Sequence, residues 1–265
     1  MKIALLQMDI VLCSPEENCG RIEKMLIEAM QESPDVIVLP EMWNIGFFPN
    51  NPRLFADDYG KMAKKFLSKL AKQYGVNIVG GTVASIEGAE LVNINYNINR
   101  QGDVIGEYRK IHLFSPSGED KIFSSGKAIN TFLLDGVKVG VIVCYDIRFC
   151  ELVRLLALEN ITVLFVPAAW PKPRLAHWQI LLKARAIENQ LFVVGVNGVG
   201  IANDLKFCGG SMIVDPWGEV IAEAHSAEQC CIYGEIDLSI MQDIRKRINV
   251  FQDRRISLYT LGFRG

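Results

Sequence analysis

Short and almost continuous runs of apolar residues recur along the chain and are typical of strands that are buried on both faces. The clearest runs are residues 1–8, 35–41, 138–146, 162–170 and 191–197. Weaker patterns predict further strands at residues 77–83, 96–100, 104–110, 210–216, 219–224 and 231–237. Because strands of this kind must be covered on both faces, the sequence predicts sheets with helices packed outside them.

Amphipathic segments predict helices at residues 14–30, 58–74, 151–159, 177–190 and 238–248. The first of these has an apolar stripe that consists of Ile22, Met25, Leu26 and Ala29. At its beginning, Ser14 is expected to be the N-cap, with Pro15 at the first helical position and Glu17 completing a capping box.

Composition and charge narrow the classes of function. No linker or repeat interrupts the 265 residues, so residues 1–265 are predicted to form one domain. The net charge of -2 argues against a nucleic-acid partner, and no run approaches the ~20 apolar residues that cross a membrane. Gln7 and Asp9 interrupt the first apolar run, which argues against a signal peptide and favours a cytoplasmic protein. The seven cysteines lack metal-ligand spacing, and no phosphate-binding loop is present, so we expect no metal and no cofactor.

Three chemically active residues follow apolar strands, where ligands bind in many α/β sheets. They are Glu41, Lys110 and Cys144. Each has an ordinary explanation, since Glu41 can cap a loop, Lys110 can be a solvated charge, and a free cysteine usually behaves as a small core hydrophobe. Together they favour a nucleophilic thiol, because a thiol needs a proton acceptor and a positive neighbour to become reactive.

Other polar residues lie close to these three in the sequence. His112 is two residues from Lys110 on the same strand face, and we favour a structural hydrogen-bonding role for it over that of a catalytic base. Asp146 and Arg148 can in principle bind substrate, but bracing of a buried strand end is the preferred interpretation, because buried charges need partners.

The motifs LPEMW at Glu41, YRKIHLF at Lys110 and VCYDIRF at Cys144 resemble, in order and spacing, the Glu-Lys-Cys motifs of the nitrilase superfamily of carbon–nitrogen hydrolases. The resemblance covers essentially the whole chain, and SPSGED resembles the segment in which many members carry a second glutamate, here Glu119. It implies a four-layer αββα sandwich that commonly forms a homodimer through its sheets.

The resemblance also implies a mechanism. Cys144 would attack an amide and form a thioester, with Glu41 as acid and base. Lys110 and the backbone N–H of Tyr145 would hold the oxyanion, and Glu119 would orient Lys110 or help to position substrate. Tyr-Asp follows Cys144 where true nitrilases usually have Trp-Glu, so the chain looks like an amidase.

The segments WPKPRLAHW and VFQDRRISLY resemble the ω-amidase branch, which acts on 2-oxoglutaramate or 2-oxosuccinamate. Three alternatives stay open: hydrolysis of another small amide or N-carbamoyl compound, acyl transfer by a thiol amidase, and a non-catalytic scaffold of the same fold. An acyltransferase would be recognised by a hydroxylamine adduct among its products.

A dicarboxylate monoamide keeps one free carboxylate, which a buried pocket must pair with a cation. Arg174 is the candidate, because it lies in a loop between prolines just after the apolar run 162–170; a solvent-exposed loop arginine is the alternative. The aromatic candidates for the pocket wall are Trp43, Phe47 and Trp170, although core packing explains them nearly as well. Three other thiols are assigned to packing: Cys150, Cys208 and Cys231.

Overall fold

Two β-sheets packed face to face form the centre of the computed structural model, which describes residues 1–47, 49–202, 204–225 and 227–262. The strands are β1 (Lys2–Gln7), β2 (Val36–Val38), β3 (Asp57–Asp58), β4 (Asn77–Val79), β5 (Val83–Glu87), β6 (Glu90–Ile98), β7 (Val104–Arg109), β8 (Thr131–Leu134), β9 (Val137–Val141), β10 (Val163–Ala168), β11 (Phe192–Asn197), β12 (Val199–Ala202), β13 (Leu205–Cys208), β14 (Met212–Val214), β15 (Val220–Glu223) and β16 (Cys230–Glu235). The helices are α1 (Pro15–Ala29), α2 (Lys61–Tyr74), α3 (Glu119–Ile122), α4 (Cys150–Leu158), α5 (Leu175–Asn189) and α6 (Ile240–Arg247).

The strand order places several strand ends at one edge of the molecule. In the first sheet the order is β16-β1-β2-β4-β6-β5-β3, and β7 pairs with β6. Strands β1, β2 and β4 are parallel, whereas β6 is antiparallel to both β4 and β7. The carboxyl ends of β2 and β7 therefore lie at the same edge as the beginning of β6. In the second sheet the order is β15-β14-β11-β10-β9-β8, with β9, β10 and β11 parallel.

Alternate side chains of β1 belong to different layers of the core, as the two-residue period of a strand requires. Ile3 and Leu5 pack with apolar residues of β9 and β10 between the two sheets. Ala4 and Leu6 pack beneath α1 and α2 on the outer face. Helices α4 and α5 contribute Leu156, Trp178 and Leu182 to the core of the second sheet. This order of layers, helix, sheet, sheet, helix, confirms the αββα sandwich that the sequence predicted.

The strand predicted over residues 138–146 is shorter than expected. Strand β9 ends at Val141, and Cys144–Arg148 forms a 3-10 turn. Cys144 has φ 48°, which lies in the left-handed region and does not continue a strand. Asp146 stabilises the turn by accepting a hydrogen bond from the Val143 N–H at 2.9 Å. The apolar pattern of residues 142–143 therefore reflects burial and not strand geometry.

Strand β6 begins at Glu90, six residues before the strand predicted over 96–100. The prediction failed because Asn93, Asn95 and Asn97 interrupt the apolar pattern, although all three side chains are buried. Their amide groups find polar partners: Asn95 Nδ2 donates to the Gly81 carbonyl at 2.7 Å, and Asn97 donates to Asn95 Oδ1 at 2.5 Å.

The predicted capping box of α1 is wrong. Ser14 is at the N-cap position and Pro15 begins the helix, but the Ser14 hydroxyl donates to the Leu12 carbonyl at 3.3 Å and caps no helical N–H. Glu17 instead pairs with Arg21, one helical turn later, at 2.9 Å. The second predicted helix begins at Lys61 and not at residue 58, because Asp57–Asp58 pairs with β5.

Candidate active site

Four polar side chains from four separate segments converge at the shared edge of the sandwich. Glu41 follows β2, Lys110 follows β7, Glu119 begins α3, and Cys144 begins the turn after β9. The Lys110 ammonium donates to Glu41 Oε1 at 2.8 Å and to Glu119 Oε2 at 2.8 Å. The Cys144 thiol lies close enough to Glu41 and Lys110 for both charges to shift its pKa. All four are buried, with exposed fractions of 6% for Cys144 and at most 1% for the other three.

The backbone on either side of Glu41 packs closely against the segment that contains Gly81 and Thr82. Gly81 has φ +56°, and a Cβ at this position would stand 2.1 Å from the Pro40 carbonyl oxygen. Thr82 fixes the residues on either side of Glu41, because its N–H donates to the Pro40 carbonyl at 3.1 Å and its hydroxyl accepts from the Met42 N–H at 2.8 Å. Glycine is therefore required at position 81 to hold the segment that carries Glu41.

Sequence reasoning missed two donors to Glu41. Asn93 Nδ2 donates to Glu41 Oε1 at 2.8 Å and to Glu119 Oε1 at 3.1 Å. The Ala169 N–H donates to Glu41 Oε2 at 2.9 Å. Asn93 was missed because the predicted site residues all follow strands, whereas Asn93 lies near the beginning of β6, which is antiparallel to its neighbours. The available signal was the strict alternation of asparagines with apolar residues over residues 92–98.

Burial and mutual charge set the protonation of the group. Burial raises the pKa of Glu41, Lys110 opposes this effect, and the charge of Glu119 adds to it. Burial alone would lower the pKa of Lys110, but Glu41 and Glu119 more than offset it, so the pKa is raised and the amine stays charged. Burial and then Glu41 raise the pKa of Cys144 well above its ordinary value, against the effect of Lys110. The resting nucleophile is therefore a thiol, with the Glu41 carboxyl group beside it.

Asp146 braces the turn that carries Cys144. Its Oδ2 accepts from the Tyr108 hydroxyl at 2.8 Å, and its Oδ1 accepts from the His112 N–H at 2.8 Å. The His112 ring lies with Nδ1 2.8 Å from the same carboxylate and stacks on Phe149. These contacts agree with the structural roles that the sequence favoured for His112 and Asp146.

A narrow cleft lies over Cys144, with about 410 Å³ of space between its walls when the part open to solvent is included. Its lining consists of Phe47, Phe114, Ser117, Cys144, Tyr145, Arg148, Ala169, Trp170, Pro171, Arg174, Leu205 and Phe207. Three residues that the sequence predicted for substrate binding, Phe47, Trp170 and Arg174, are therefore among those that line the cleft. A larger groove of about 860 Å³ runs past Glu90, Glu107 and Lys127 and contains none of the four converging side chains, so the smaller cleft is the candidate active site.

Trp43 does not wall this cleft, which corrects the expectation from the sequence. Its side chain is fully buried in the core against Phe66 of α2, with the two ring centroids 6.1 Å apart. Its indole N–H donates to the Gly80 carbonyl at 2.8 Å. Trp43 therefore anchors the loop after β2 to the outer helical layer, on the side away from Cys144.

Two guanidinium groups line the cleft: Arg174, which the sequence predicted as the partner of a substrate carboxylate, and Arg148, for which the sequence favoured bracing over substrate binding. The Arg174 guanidinium lies 5.1 Å from the centroid of the Phe114 ring. The Arg148 guanidinium lies 4.8 Å from the centroid of the Trp170 ring, and its Nη2 is 3.2 Å from His177 Nδ1. None of these partners is a carboxylate. Arg148 therefore lines the cleft and also contacts Trp170 and His177, so the bracing role expected of it stays a prediction.

In the described ranges, no cluster of three or more His, Cys, Asp or Glu residues is arranged to hold a metal ion. Across the same ranges, none of the helices combines the length and the apolar character that a membrane span requires.

Comparisons with known proteins agree with this geometry. The model of the carbon–nitrogen hydrolase family matches residues 2–246. A 2-oxoglutaramate amidase of Bacillus subtilis is 44% identical over 257 residues, which cover 97% of this chain and 98% of that protein. An omega-amidase of Danio rerio is 33% identical over 254 residues, which cover 92% of this chain and 91% of that protein. The crystal structure of Saccharomyces cerevisiae Nit3, a member of branch 10 of the nitrilase superfamily, superposes with a TM-score of 0.90 at 28% identity and covers 96% of each chain. The chain therefore belongs to the carbon–nitrogen hydrolase family.

Proposed function

We propose that this chain hydrolyses a small ω-amide of a dicarboxylic acid, of the 2-oxoglutaramate or 2-oxosuccinamate type, to the acid and ammonia. The observation that carries the proposal is the buried Cys144 thiol, which lies beside the Glu41–Lys110–Glu119 group and lines a cleft with two arginines. The relatives named 2-oxoglutaramate amidase and omega-amidase support the substrate class.

In the first half of the reaction, the Cys144 sulfur attacks the amide carbonyl carbon while Glu41 takes the thiol proton. The C=O electron pair moves onto oxygen, where the Tyr145 N–H and an ammonium N–H of Lys110 stabilise it. When the tetrahedral intermediate collapses, the C–N bond breaks and Glu41 returns the proton to the departing nitrogen. The products of this half are ammonia and a thioester on Cys144.

In the second half, Glu41 takes a proton from water, whose oxygen attacks the thioester carbonyl. The C–S bond then breaks, the acid is released, and the proton returns to sulfur. Glu119 contributes by fixing Lys110, because both of its carboxylate oxygens accept hydrogen bonds from the ammonium. The raised pKa of Glu41 suits this double role, since a general base works best when its pKa approaches the working pH.

Arg174 and Arg148 give the cleft its preference for an acidic substrate. Their described contacts are with aromatic rings and with His177, so the positive charges are not neutralised by these partners. A guanidinium binds a carboxylate through two parallel hydrogen bonds. In this arrangement the amide end of the substrate reaches Cys144, while its free carboxylate pairs with an arginine.

An ammonia-release panel on the wild-type protein tests the proposal. We expect kcat/KM for 2-oxoglutaramate or succinamate to exceed that for a neutral amide of similar length by at least about tenfold, because one charged hydrogen bond is worth roughly 1.5–3 kcal/mol. The panel should include N-carbamoyl amino acids and nitriles, with hydroxylamine added to detect acyl transfer. A preference for nitriles, or no ammonia from any amide, would contradict the proposal.

Replacing Arg174 with alanine should lower kcat/KM for 2-oxoglutaramate by roughly 10- to 100-fold, mainly through KM, because the substrate carboxylate loses its bidentate partner. A neutral amide should change by less than about threefold. Lys172→Ala is the matched control, since it removes a positive charge from the same loop at an exposed position outside the cleft lining. Equal losses on charged and neutral amides would mean that Arg174 only supports the loop.

Several broader expectations complete the proposal. The chain acts as one domain over residues 1–265 and as a homodimer in the cytoplasm, without a metal or cofactor. Two apolar side chains on α5, Ile180 and Ile187, are more than half exposed, which supports an association surface on the helical layer and not the contact through the sheets that the resemblance implied. All seven cysteines are free, which supports a reducing compartment.

A further inference from the structure

Asn93 connects the two carboxylates of the site in a way that neither the sequence nor the comparisons indicated. Glu41 and Glu119 both accept from the Lys110 ammonium, so two buried negative charges share one positive charge. The Asn93 side chain is 1% exposed and lies against both carboxylates. A neutral amide is therefore the additional donor that these two acids have in common.

The number of donors matches the number of acids. A side-chain amide has two N–H groups, and Asn93 Nδ2 lies 2.8 Å from Glu41 Oε1 and 3.1 Å from Glu119 Oε1. The opposite assignment of the amide would place its oxygen against two carboxylate oxygens, which repel it. The Asn93 Oδ1 atom is buried and accepts no hydrogen bond from the described residues. The side chain thus keeps one unsatisfied acceptor while both donors are directed at the carboxylates.

Lys110 cannot perform this task alone. Its three N–H groups face Glu41 Oε1 and both oxygens of Glu119, yet the proposed reaction also requires an N–H for the oxyanion. When Lys110 redirects one donor toward substrate, the two carboxylates lose part of their shared stabilisation. Asn93 keeps one N–H on Glu41 and one on Glu119 during the whole reaction, because neither of its N–H groups is needed for the oxyanion.

We propose that Asn93 is a positioning residue that holds Glu41 and Glu119 side by side and keeps Glu41 ionised and aimed at Cys144. The kinetic test of this inference rests on the proposed amide hydrolysis, whereas a second test, the alkylation of Cys144, does not. The charged and titratable groups that face Glu41 are Lys110, Glu119 and Cys144. Its neutral donors in the described residues are the Ala169 N–H and Asn93, and Asn93 is the one that also reaches Glu119.

Removal of the amide should raise the pH at which Glu41 becomes an effective base. Without Asn93 the carboxylate loses one donor, and its repulsion from Glu119 is less well compensated, so the acidic limb of the kcat/KM profile should move up by about one pH unit. Below that limb, the rate of Asn93→Ala should be about tenfold lower than that of the wild type. At alkaline pH most of the activity should return, because Glu41 is again ionised.

Asn93→Asp tests the same idea without a change in side-chain volume. A third carboxyl beside Glu41 and Glu119 should move the acidic limb at least as far as Asn93→Ala does, since a carboxylate repels where the amide donated. Asn97→Ala is the matched control: Asn97 is equally buried on the same face of β6, and its amide donates to Asn95 Oδ1 and the Gly106 carbonyl. This control is expected to lower thermal stability and to leave the pH profile unshifted.

A second measurement is independent of the substrate. The rate at which iodoacetamide alkylates Cys144, followed by mass spectrometry of the Cys144 peptide against pH, reports on its proton transfer to Glu41. Both Asn93 variants should shift this profile in the same direction as the kinetic one. If Cys144 of the wild type is alkylated but the protein hydrolyses no amide, the proposed function fails. The alkylation profiles of the Asn93 variants still test the role of Asn93 in that case. Unshifted profiles in folded Asn93 variants would overturn the inference, as would an equal shift in Asn97→Ala.

Discussion

Cys144→Ala is expected to abolish amide hydrolysis, with kcat/KM reduced by roughly 10⁴-fold or more. The sulfur is the atom that bonds to the substrate carbonyl, and the remaining donors of the site can only bind and polarise the amide. The fold should persist, because the change removes one buried atom, and Asp146 still braces the turn through Val143 and Tyr108. Ammonia release measures the loss, and circular dichroism with a thermal melt measures the fold.

Cys208→Ala is the matched control for the nucleophile. Cys208 is buried to 5% exposure, close to that of Cys144, and its thiol donates to the Trp170 carbonyl at 3.4 Å beside the same cleft. Burial raises the pKa of Cys208 to about 11, and its hydrogen-bond partners in the described residues are Asn197 and the carbonyls of Trp170 and Gly209, none of which is a carboxylate. Its loss should change stability and leave kcat/KM within about threefold. An acyl adduct on Cys208 or Cys150 during turnover, in place of one on Cys144, would show that Cys144 is not the nucleophile.

The parts of the site that the sequence predicted share one physical feature. Glu41 and Lys110 follow strands that run in the same direction in one sheet, and Cys144 follows a strand of the facing sheet. The apolar runs mark where those strands end, so the residues after them can be read from the chain. Glu119 needed the family resemblance, because a four-residue helix leaves no periodic pattern.

The residues that the sequence missed depend on packing between distant segments. Asn93 lies near the beginning of an antiparallel strand, and only the pairing of β6 with β4 and β7 brings it to the same edge. Arg148 was named from the sequence, but its place in the cleft was not predicted, because it sits in a 3-10 turn whose existence is hidden by the apolar residues before it. Trp43 is two residues from Glu41 but points into the opposite layer, because the loop after β2 has no strand period that would fix its direction. Side-chain direction in such turns follows from tertiary contacts and not from spacing.

Lys110→Met is expected to destabilise the protein by roughly 3–5 kcal/mol at pH 8 and to remove activity, because it leaves Glu41 and Glu119 buried without their cation. Methionine fills much of the volume of the lysine stem, so the loss reports on charge more than on a cavity. Urea unfolding at several pH values measures the free energy of unfolding, and ammonia release measures activity.

The pH dependence of this loss has a definite sign. Burial and the charge of Glu119 already raise the pKa of Glu41 above its ordinary value of 4.5, and Lys110 opposes them. Without Lys110 the pKa rises further, so folding favours the protonated carboxyl. The stability contributed by that proton is fully present below the unfolded pKa and is lost as pH rises through the folded pKa. The deficit of Lys110→Met relative to the wild type should therefore be small near pH 4.5 and largest above neutrality.

The double variant Lys110→Met/Glu119→Gln separates charge from packing. It removes one buried negative charge together with the positive one, while Asn93 and the Ala169 N–H still donate to Glu41. We expect it to recover more than half of the stability lost at pH 8 and none of the activity, since the oxyanion still lacks its ammonium. If the double variant is as unstable as Lys110→Met at every pH, then Lys110 contributes to the fold through the packing of its stem, and the two carboxylates do not depend on its charge.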